Sequence, residues 1–428
     1  MIEPVILKGF RDSLPKEEIP KRKIMTVLEK VFQSYGFVPI DTPVLEYTSV
    51  LLGKGGGETD KQVFHFLDNG GREVAMRFDL TVPFARFMAA HTSEVALPFK
   101  RYHINKVWRG EKPQKGRYRE FFQCDFDIVG VDSTVADYEI LSMMDSSFSA
   151  LGIKDYTFHI SHRGLFNTFL DRIGVRENSV EILRAVDKLR KIGEDEVKSI
   201  LVGITESEEK ASLILSYITS GEGSASFGET LEKLEALSGG ECESSVRLKE
   251  LYALLEETGI SGHFVLDPSI TRGLDYYTGI VYETFLSGAE EIGSVCSGGR
   301  YNNLASLYTK ENLPGVGSSI GLDRLIAALE ELNSPLLKET ESSDVLLIHT
   351  SEYVVKAEKT ASVLRRNGIR ADVYLMAEPK MKRVYDYLDR NSIPYLLTVG
   401  GTLSLRDQRT RESITVENAE EVVKKIKA

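Results

Sequence analysis

The sequence predicts an α+β fold in three parts: an N-terminal core of strands and helices, a helical insert within that core, and a small C-terminal α/β domain. Apolar strands such as "EVAMRFDL" and "FFQCDFDIVG" alternate with helical stretches in residues 1–165. Amphipathic helices then dominate residues 165–262, and strands alternate with helices of similar length after residue 344. At 428 residues the chain is too long for one ordinary domain.

The core contains a long hairpin in "RYHINKVWRGEKPQKGRYREFFQCDFDIVG", residues 101–130. A strand leads into a charged loop and a second strand returns, with polar and apolar residues alternating along it. One face of the second strand therefore carries Gln123, Asp125 and Asp127, and the other faces the core. Such a polar row is costly unless water or a ligand meets it, and the residues alone leave both interpretations open.

The insert is predicted from two stretches with apolar residues at helical spacing, "VEILRAVDKL" and "RLKELYALLEE". Each stretch predicts one buried helix face, formed by Ile182, Val186 and Leu189 in the first and by Leu248, Leu251 and Leu255 in the second.

Strand-like sequence resumes after the insert. "SITRGLDYYTGIVYE", residues 269–283, is rich in Tyr, Ile, Val and Thr and predicts a strand with Arg272 at its entrance. Strand alternation would place Tyr276 and Tyr277 on opposite faces. From this stretch alone, an edge strand whose arginine reaches solvent is also a reasonable interpretation.

The C-terminal part begins after a polar linker, residues 331–343, so that we expect a core in residues 1–330 and a separate domain in residues 344–428. The last segment carries 15 Lys and Arg against 12 Asp and Glu, or +3, which leaves −14 for the remainder of a chain of net charge −11. A polyanion contact is therefore expected in the C-terminal domain.

Composition excludes several classes of protein. Hydrophobic content of 42% and charged content of 27% are globular values, and no apolar run reaches the ~18 residues of a membrane span. The start of the chain lacks a signal-peptide layout, and the three cysteines form no CxxC pair. We therefore expect a cytoplasmic protein without a zinc cluster.

Glycine-rich stretches do not match the common nucleotide motifs. "GKGGGETDK" is no GxxxxGK[ST] loop, and "PGVGSSIGLDRL" misses the GxGxxG spacing. The second stretch instead predicts a strand of small residues followed by Arg324 one helical turn later, where a flat ligand could lie against the backbone.

Several of these stretches together resemble the histidyl-tRNA synthetase family, in the form typical of archaea and eukaryotes. Arg109-Gly-Glu111 with the basic loop resembles motif 2 of class II aminoacyl-tRNA synthetases. "GFVPIDTPVLEYTSVL" resembles motif 1 and "GVGSSIGLDRL" motif 3. "KGFRDSLP", "MRFDLTVPFARF", "RGLDYYTG" and "CSGGRYNNL" narrow the resemblance to the histidine enzyme, over nearly the whole chain.

The resemblance implies the class II antiparallel sheet flanked by helices, a C-terminal anticodon-binding domain, and ATP-dependent attachment of histidine to tRNA-His. For ATP it implies that Arg109 grips the α-phosphate, where a planar fork can hold phosphate and carboxylate together. Glu111 would read the adenine amino group and Phe121 would stack on the ring. Arg117 and Arg324 would hold the γ-phosphate and the adenine.

For histidine, the resemblance implies that Asp79 and Thr81 bind the α-ammonium with the help of Gln123. Arg272 would be the second catalytic arginine, touching the α-phosphate and the histidine carboxylate. The two imidazole nitrogens need polar partners in a selective pocket, and the resemblance assigns Asp127 and Tyr277 to them.

The remaining implications concern partners. Gln114 in the motif 2 loop, and Arg406 and Arg409 in the C-terminal domain, are implied tRNA contacts. Motif 1 implies a homodimer, and Mg²⁺ is expected only with the ATP phosphates. An alternative is a catalytically inactive regulatory paralogue, which the retained arginines disfavour.

Overall fold

The structure is a computed structural model that describes residues 1–53, 62–221, 226–270 and 276–427. The chain divides into two compact units. The first comprises Met1–Arg11 and Ile24–Asn333, and the second comprises Asp12–Lys23 and Ser334–Ala428. Among the described residues, none of the helices combines the length and the apolar character needed to cross a bilayer.

The strands of the first unit form two sheets. They are β1 (Val38–Pro39), β2 (Leu45–Tyr47), β3 (His65–Leu67), β4 (Glu73–Met76), β5 (Phe99–Trp108), β6 (Glu120–Val129), β7 (Tyr156–His162), β8 (Phe264–Leu266), β9 (Ile280–Leu286), β10 (Cys296–Arg300) and β11 (Gly315–Gly321).

Within the described residues, the large sheet has the order β1-β5-β6-β11-β10-β9-β7-β8, and the small sheet the order β2-β4-β3. Neighbours in the large sheet are antiparallel except for the edge pairs β1–β5 and β7–β8, which are parallel. The expected antiparallel sheet is thus confirmed, with mixed pairing at its two edges.

Helices flank these sheets and continue into the second unit. In chain order they are α1 (Pro15–Ser34), α2 (Thr48–Leu52), α3 (Thr81–His91), α4 (Thr134–Ala150), α5 (Arg163–Arg172), α6 (Ser179–Val186), α7 (Leu189–Ile192), α8 (Glu194–Thr205), α9 (Glu208–Ile218), α10 (Phe227–Ser238), α11 (Glu243–Glu257), α12 (Leu322–Glu331), α13 (Val354–Arg366), α14 (Met381–Arg390) and α15 (Ala419–Lys427).

The predicted hairpin is the centre of the large sheet. β5 and β6 pair in register from Phe99↔Val129 to Trp108↔Glu120, so Arg109 and Glu111 begin the loop that joins them. The core face of β6 is apolar, and Phe126 packs against Phe32 with ring centroids 4.9 Å apart. The polar face carries the alternating row predicted from the sequence, and this row is buried as well.

The helical insert is confirmed as the segment of α5–α11. The predicted apolar faces are buried at Ile182, Val186, Leu248, Leu251 and Leu255, while Leu189 is half-buried. Capping fixes individual helix starts, as where the Ser226 hydroxyl accepts from the Glu229 amide and the Glu229 carboxylate accepts in return.

The predicted strand over residues 269–283 is wrong in its first part. Within the described residues β9 begins only at Ile280, and Tyr276 and Tyr277 lie in the turn before it. The pairing with β10 leaves its register there, because the Thr278 amide donates to the Arg300 carbonyl oxygen (2.8 Å), whereas the register Gly299↔Val281 would place Thr278 opposite Asn302. Arg272 lies outside the described residues.

The second unit confirms the α/β pattern predicted for the C-terminal domain. Its strands are β12 (Val345–His349), β13 (Ala371–Val373), β14 (Tyr395–Val399), β15 (Leu403–Asp407) and β16 (Ser413–Val416). Among the described residues they form a sheet of order β13-β12-β14-β15-β16, with parallel pairs among the first three strands and an antiparallel β14-β15-β16 meander.

Two glycines give a matched test of the packing at the centre of the large sheet. A Cβ added to Gly298 in β10 would overlap the carbonyl oxygen of Gly317 and lie 2.7 Å from the Ser318 Cα. Gly203, exposed in α8, meets no atom within 4 Å. We expect Gly298→Ala to destabilise the chain by about 1–3 kcal/mol, because backbone must move to accommodate the methyl group.

Gly203→Ala should instead stabilise by roughly 0.5–1 kcal/mol, since alanine is the better helix former. Thermal unfolding of both variants checks the pair. Equal melting temperatures for Gly298→Ala and the wild type would contradict the packing described here.

Candidate functional site

A cleft opens over the polar face of the large sheet and encloses about 860 Å³ when the solvent at its mouth is included. Its walls come from the segment after β4, the β5–β6 loop, β6 itself, the turn before β9, β11 and the first turn of α12. With the segment that leads into β10, the lining residues come from five separate parts of the sequence: 79–81, 109–123, 276–277, 294–297 and 319–324. Nine residues singled out from the sequence line the cleft: Asp79, Thr81, Arg109, Glu111, Arg117, Phe121, Gln123, Tyr277 and Arg324.

Arg109 is held in place by two neighbours. Its Nε donates to the carbonyl oxygen of Phe78 (2.9 Å), and its guanidinium carbon lies 5.2 Å from the centroid of the Phe121 ring. The backbone contact fixes the position of Nε, and the ring contact fixes the plane of the guanidinium group. The orientation of Arg109 is therefore set by the protein before any ligand arrives.

At the far end of the cleft the motif 2 loop packs against α12. Gln114 and Arg117 exchange backbone hydrogen bonds of 3.0 and 2.9 Å, and between them Gly116 has φ +69°. A Cβ there would lie 3.1 Å from the Ala327 Cβ, so glycine serves both the turn and the close approach. Gln114 itself is not among the residues lining the cleft.

Arg324 lies on the first turn of α12, as the sequence predicted, and its Nη1 donates to the Ser294 carbonyl oxygen (2.7 Å). The adjacent Asp323 accepts from the Phe122 amide (2.8 Å) and from Arg11 (2.9 Å). These contacts fasten α12 to β6 and to the N-terminal segment, so the guanidinium of Arg324 is held in a fixed position over the cleft.

Carboxylate and amide acceptors line the opposite end. Asp79 Oδ1 accepts from the Val82 amide (3.0 Å), whereas its Oδ2 has no hydrogen-bond partner among the described residues. Gln123 Nε2 donates to the Ser319 hydroxyl (2.8 Å), and its Oε1 is likewise without a partner within the described ranges. Two buried acceptors that line one cleft favour a donor-rich cation as ligand.

Burial controls the ionisation of Asp79. It raises the pKa of Asp79 to about 6, although Arg109 and Arg101 and the Val82 amide act in the opposite direction. A cationic ligand beside this carboxylate would lower the pKa again, since an opposite charge favours the ionised form.

Asp127 is placed differently from the other predicted residues. It is buried and is not among the residues lining the cleft. Its Oδ2 lies 2.6 Å from Arg101 Nη2, and its Oδ1 accepts from the Tyr301 hydroxyl. Gly317 faces Asp127 across the β6–β11 pair and leaves the room that this carboxylate occupies.

Tyr276 corrects a prediction. Strand alternation placed it on the face opposite to Tyr277, but both rings line the cleft, with centroids 4.7 Å apart. The pair lies in a turn, where side chains do not have to alternate. The residue pattern did not predict this turn, so Tyr276 was not predicted to line the cleft.

Other residues were missed because nothing in their local sequence distinguishes them. Ser297, Ser319 and Tyr118 line the cleft, and Arg101 and Tyr301 lie beneath it. Tyr301 and Arg101 fall within the quoted motifs. The role of a buried arginine on a strand can be recognised only when its partner on the neighbouring strand is known.

The remaining predicted residues lie elsewhere. Arg272 and most of the "GKGGGETDK" stretch lie outside the described residues. In the second unit, the Arg406 guanidinium lies 5.8 Å from the Tyr385 ring centroid. Arg409 pairs with Asp407 and donates to the Tyr395 hydroxyl, both at 2.8 Å.

Within the part of the chain that the structure describes, no group of three or more His, Cys, Asp or Glu side chains is arranged to hold a metal ion. The described residues therefore do not form a protein cage for Mg²⁺.

The fold and the cleft place the chain among the class II aminoacyl-tRNA synthetases. A family model described as "Histidyl-tRNA synthetase" matches residues 9–325, and one described as "Anticodon binding domain" matches residues 343–428. The chain belongs to the histidyl-tRNA synthetase family.

Curated relatives and solved structures agree with this assignment. The histidine–tRNA ligase of Treponema denticola is 54% identical over 92% of this chain and 88% of its own length. That of Rhodopirellula baltica is 44% identical over 94% and 91%. The crystal structure of histidyl-tRNA synthetase from Nostoc sp. PCC 7120 has a TM-score of 0.88 at 29% identity, covering 100% and 99% of the two chains.

These relatives are bacterial, so the expected archaeal or eukaryotic form is not supported. A structure from Bacillus halodurans, titled as an ATP phosphoribosyltransferase regulatory subunit/histidyl-tRNA synthetase, matches with a TM-score of 0.75 at 23% identity, over 93% and 99% of the chains. At that identity it shows the shared fold alone.

The buried row on β6 leads to a prediction about pH. Burial, with smaller contributions from Asp127 and Asp79, raises the pKa of Asp125 from 3.8 to about 7 against the opposing effect of Arg101 and Ser319. Between these two values the folded chain holds a proton that the unfolded chain has released, so this group makes stability fall as pH rises towards 7. Asp125→Asn removes that dependence.

We therefore expect the melting temperature of Asp125→Asn, relative to wild type, to increase steadily from pH 5 to about pH 7 and then to level off. Thermal unfolding of both proteins across this range checks the expectation. A difference that stays constant with pH would show that Asp125 does not hold a proton in the folded state.

Proposed function

We propose that this chain activates histidine with ATP to histidyl-adenylate, with release of pyrophosphate, and then transfers the histidyl group to the 3′ end of tRNA-His. One observation carries the proposal. A single cleft joins a preset arginine, Arg109, to two buried acceptors without partners among the described residues, Asp79 Oδ2 and Gln123 Oε1. An amino acid and a phosphate have charges that complement this arrangement.

The ATP end of the proposed site is the cationic end. Arg109 would hold the α-phosphate, Arg117 and Arg324 the γ-phosphate and the adenine, and Glu111 the adenine amino group. Phe121 offers a face for stacking. Support comes from their convergence on one cleft. The reaction needs alignment and charge neutralisation more than a protein nucleophile, because histidine's own carboxylate attacks the phosphorus.

The histidine end is proposed at Asp79, Thr81 and Gln123 for the α-ammonium, and at Tyr277 and Asp127 for the imidazole. Gln123 and Asp127 are four residues apart on β6, or about 13 Å at ~3.3 Å per residue. Two hydrogen bonds of about 2.9 Å and the length of a histidine molecule fill that distance. The strand thus spans the length of one substrate, and an imidazole at its Asp127 end would share that carboxylate with Arg101 and Tyr301.

Arg272 remains a proposed second catalytic arginine, meeting the α-phosphate and the histidine carboxylate. A pocket whose polar groups pair with both imidazole nitrogens disfavours amino acids that leave them unpaired, so specificity requires no editing domain.

Mg²⁺ is proposed as a companion of the ATP phosphates, because this cation binds phosphate oxygens in nucleotide sites. The protein's own contribution to charge neutralisation is the set of arginines that line the cleft.

The tRNA contacts proposed are Gln114, beside the cleft, and Arg406 and Arg409 in the second unit. We further propose a homodimer built through the motif 1 segment and a cytoplasmic location. The proposal also divides the chain into domains. They are a catalytic core in residues 1–330 with an insert near 165–262, a linker in 331–343 and an anticodon-binding domain in 344–428. The two compact units lend support to the first and last of these ranges.

The experiment that tests the function is charging of tRNA-His transcripts, with and without the extra 5′ guanosine, together with histidine-dependent ATP–pyrophosphate exchange. We expect exchange with histidine and charging of the transcript that carries the guanosine. A protein that binds tRNA-His but performs no exchange would be the inactive regulatory paralogue instead.

Arg109→Gln should retain the fold and lower histidine-dependent exchange at least a hundredfold, because a closed site loses about 3 kcal/mol when one preset charge is removed. Arg72→Gln is the matched control, since Arg72 is exposed, interacts with Asp68 and Tyr47, and is not among the residues lining the cleft. We expect Arg272→His to be as inactive as Arg109→Gln. Near-normal exchange in either variant would remove that arginine from the reaction.

Tyr277→Phe should raise the KM for histidine more than the KM for ATP, since it removes a hydroxyl at the amino-acid end and leaves the ring. Loss of one hydrogen bond to a neutral or charged partner corresponds to roughly 5- to 100-fold in affinity. Steady-state exchange with each substrate varied in turn measures both constants. A parallel rise of the two would argue against the imidazole contact.

A further inference from the structure

Three consecutive residues of the "CSGGRYNNL" stretch reach three different carboxylates. Arg300, at the end of β10, pairs with Asp137 on α4 through its Nε (2.9 Å) and Nη2 (2.7 Å). The Tyr301 hydroxyl donates to Asp127, and Asn302 Nδ2 donates to Asp132 (2.6 Å). The stretch is thus fastened on both sides of Tyr301, and the function proposed above uses none of the flanking contacts.

The helical insert supplies the fourth member of a charge cluster. Arg247 on α11 donates from Nε to Asp137 Oδ2 (2.7 Å) and from Nη1 to Asp132 Oδ1 (2.6 Å). Arg300 Nη1 also lies 3.3 Å from Asp132. We call Arg247, Arg300, Asp132 and Asp137 the insert cluster.

The insert cluster is electrically balanced, and one half of it is removed from water. Two guanidiniums face two carboxylates; the side chains of Arg300 and Asp137 are 2% and 1% exposed, whereas those of Arg247 and Asp132 are 20% and 41% exposed. Burial acts to raise the pKa of Asp132, but Arg247 and Arg300 together hold that pKa below its ordinary value. Removing one member of such a set leaves a buried charge without a partner. This costs more stability than replacing both members of a buried ion pair together.

Arg300 in turn fixes the tyrosines at the histidine end of the cleft. Its carbonyl oxygen accepts from the Thr278 amide (2.8 Å), and the Asn302 amide donates to the Thr278 hydroxyl (3.1 Å). Tyr277, the neighbour of Thr278, lines the cleft, and its ring packs directly on Gly299. A shift of Arg300 therefore moves Tyr277 through Thr278 and moves Tyr301 through the chain.

We propose that Arg247 is a positioning residue through which the helical insert fixes the histidine pocket. It completes the insert cluster, and the cluster holds Arg300, Tyr301 and Thr278 where Tyr277 and Asp127 can meet an imidazole. The inference rests on the proposed function, because it takes the residues around Tyr277 as the amino-acid end of the cleft.

The test uses ATP–pyrophosphate exchange by the full chain at a temperature well below the melting temperature of every variant. Arg247→Gln should raise the KM for histidine roughly three- to thirtyfold, the range for residues that act on a site without touching its ligand, while the KM for ATP changes less than about twofold. Arg247→Lys, which keeps the charge, should give an intermediate value. Arg176→Gln is the matched control, because Arg176 is an insert arginine with contacts to Ser179 and Asp171 on the insert itself.

The decisive variant restores the charge balance of the insert cluster. Asp132→Asn in the Arg247→Gln background removes one carboxylate where one guanidinium is already gone, while an amide oxygen remains for Asn302. We expect the KM for histidine to return to within about threefold of wild type in this double variant. An unchanged histidine KM in Arg247→Gln, equal rises of both KM values, or no recovery in the double variant would each overturn the proposal. Absence of exchange in the wild type would instead overturn the proposed function.

Discussion

The contact on which the site depends is the buried pair of Arg101 and Asp127, which face each other across β5 and β6. Both are almost fully removed from water, and Arg101 also lies over the Phe84 ring at 4.2 Å. A carboxylate buried there without its cation would cost about 3–5 kcal/mol. The pair therefore lets a sheet that is otherwise packed on both faces carry an acidic group beneath its cleft.

The rest of the polar face follows from strand geometry. Once Arg101 and Asp127 share a face, the period of two places Gln123 on it as well, and the antiparallel β11 brings Ser319 and Gly321 beside them. Glycines at 298 and 317 permit the close approach of β10, β11 and the buried carboxylate. Arginines from the β5–β6 loop and from α12 line the same cleft as these acceptors. A zwitterion joined to a phosphate meets opposite charges at both ends of such a cleft.

The sequence was sufficient for the parts governed by short periods. The buried faces of the insert helices, the β5–β6 hairpin with its polar row, and the C-terminal α/β pattern could all be predicted from residues two to four positions apart. Tyr276 could not, because a turn held by Arg300 replaces the strand that its β-rich sequence favoured. Nor could the insert cluster, whose Asp137 and Arg300 are 163 residues apart and meet only in the folded chain.

The most direct measurement is a crystal structure of the protein with histidine and a non-hydrolysable ATP analogue bound together. We expect the α-ammonium against Asp79 and Gln123, the imidazole directed towards Tyr277 and Asp127, and the α-phosphate within hydrogen-bond distance of Arg109. An amino acid bound with its ammonium away from Asp79, or an α-phosphate out of reach of Arg109, would refute the proposed site.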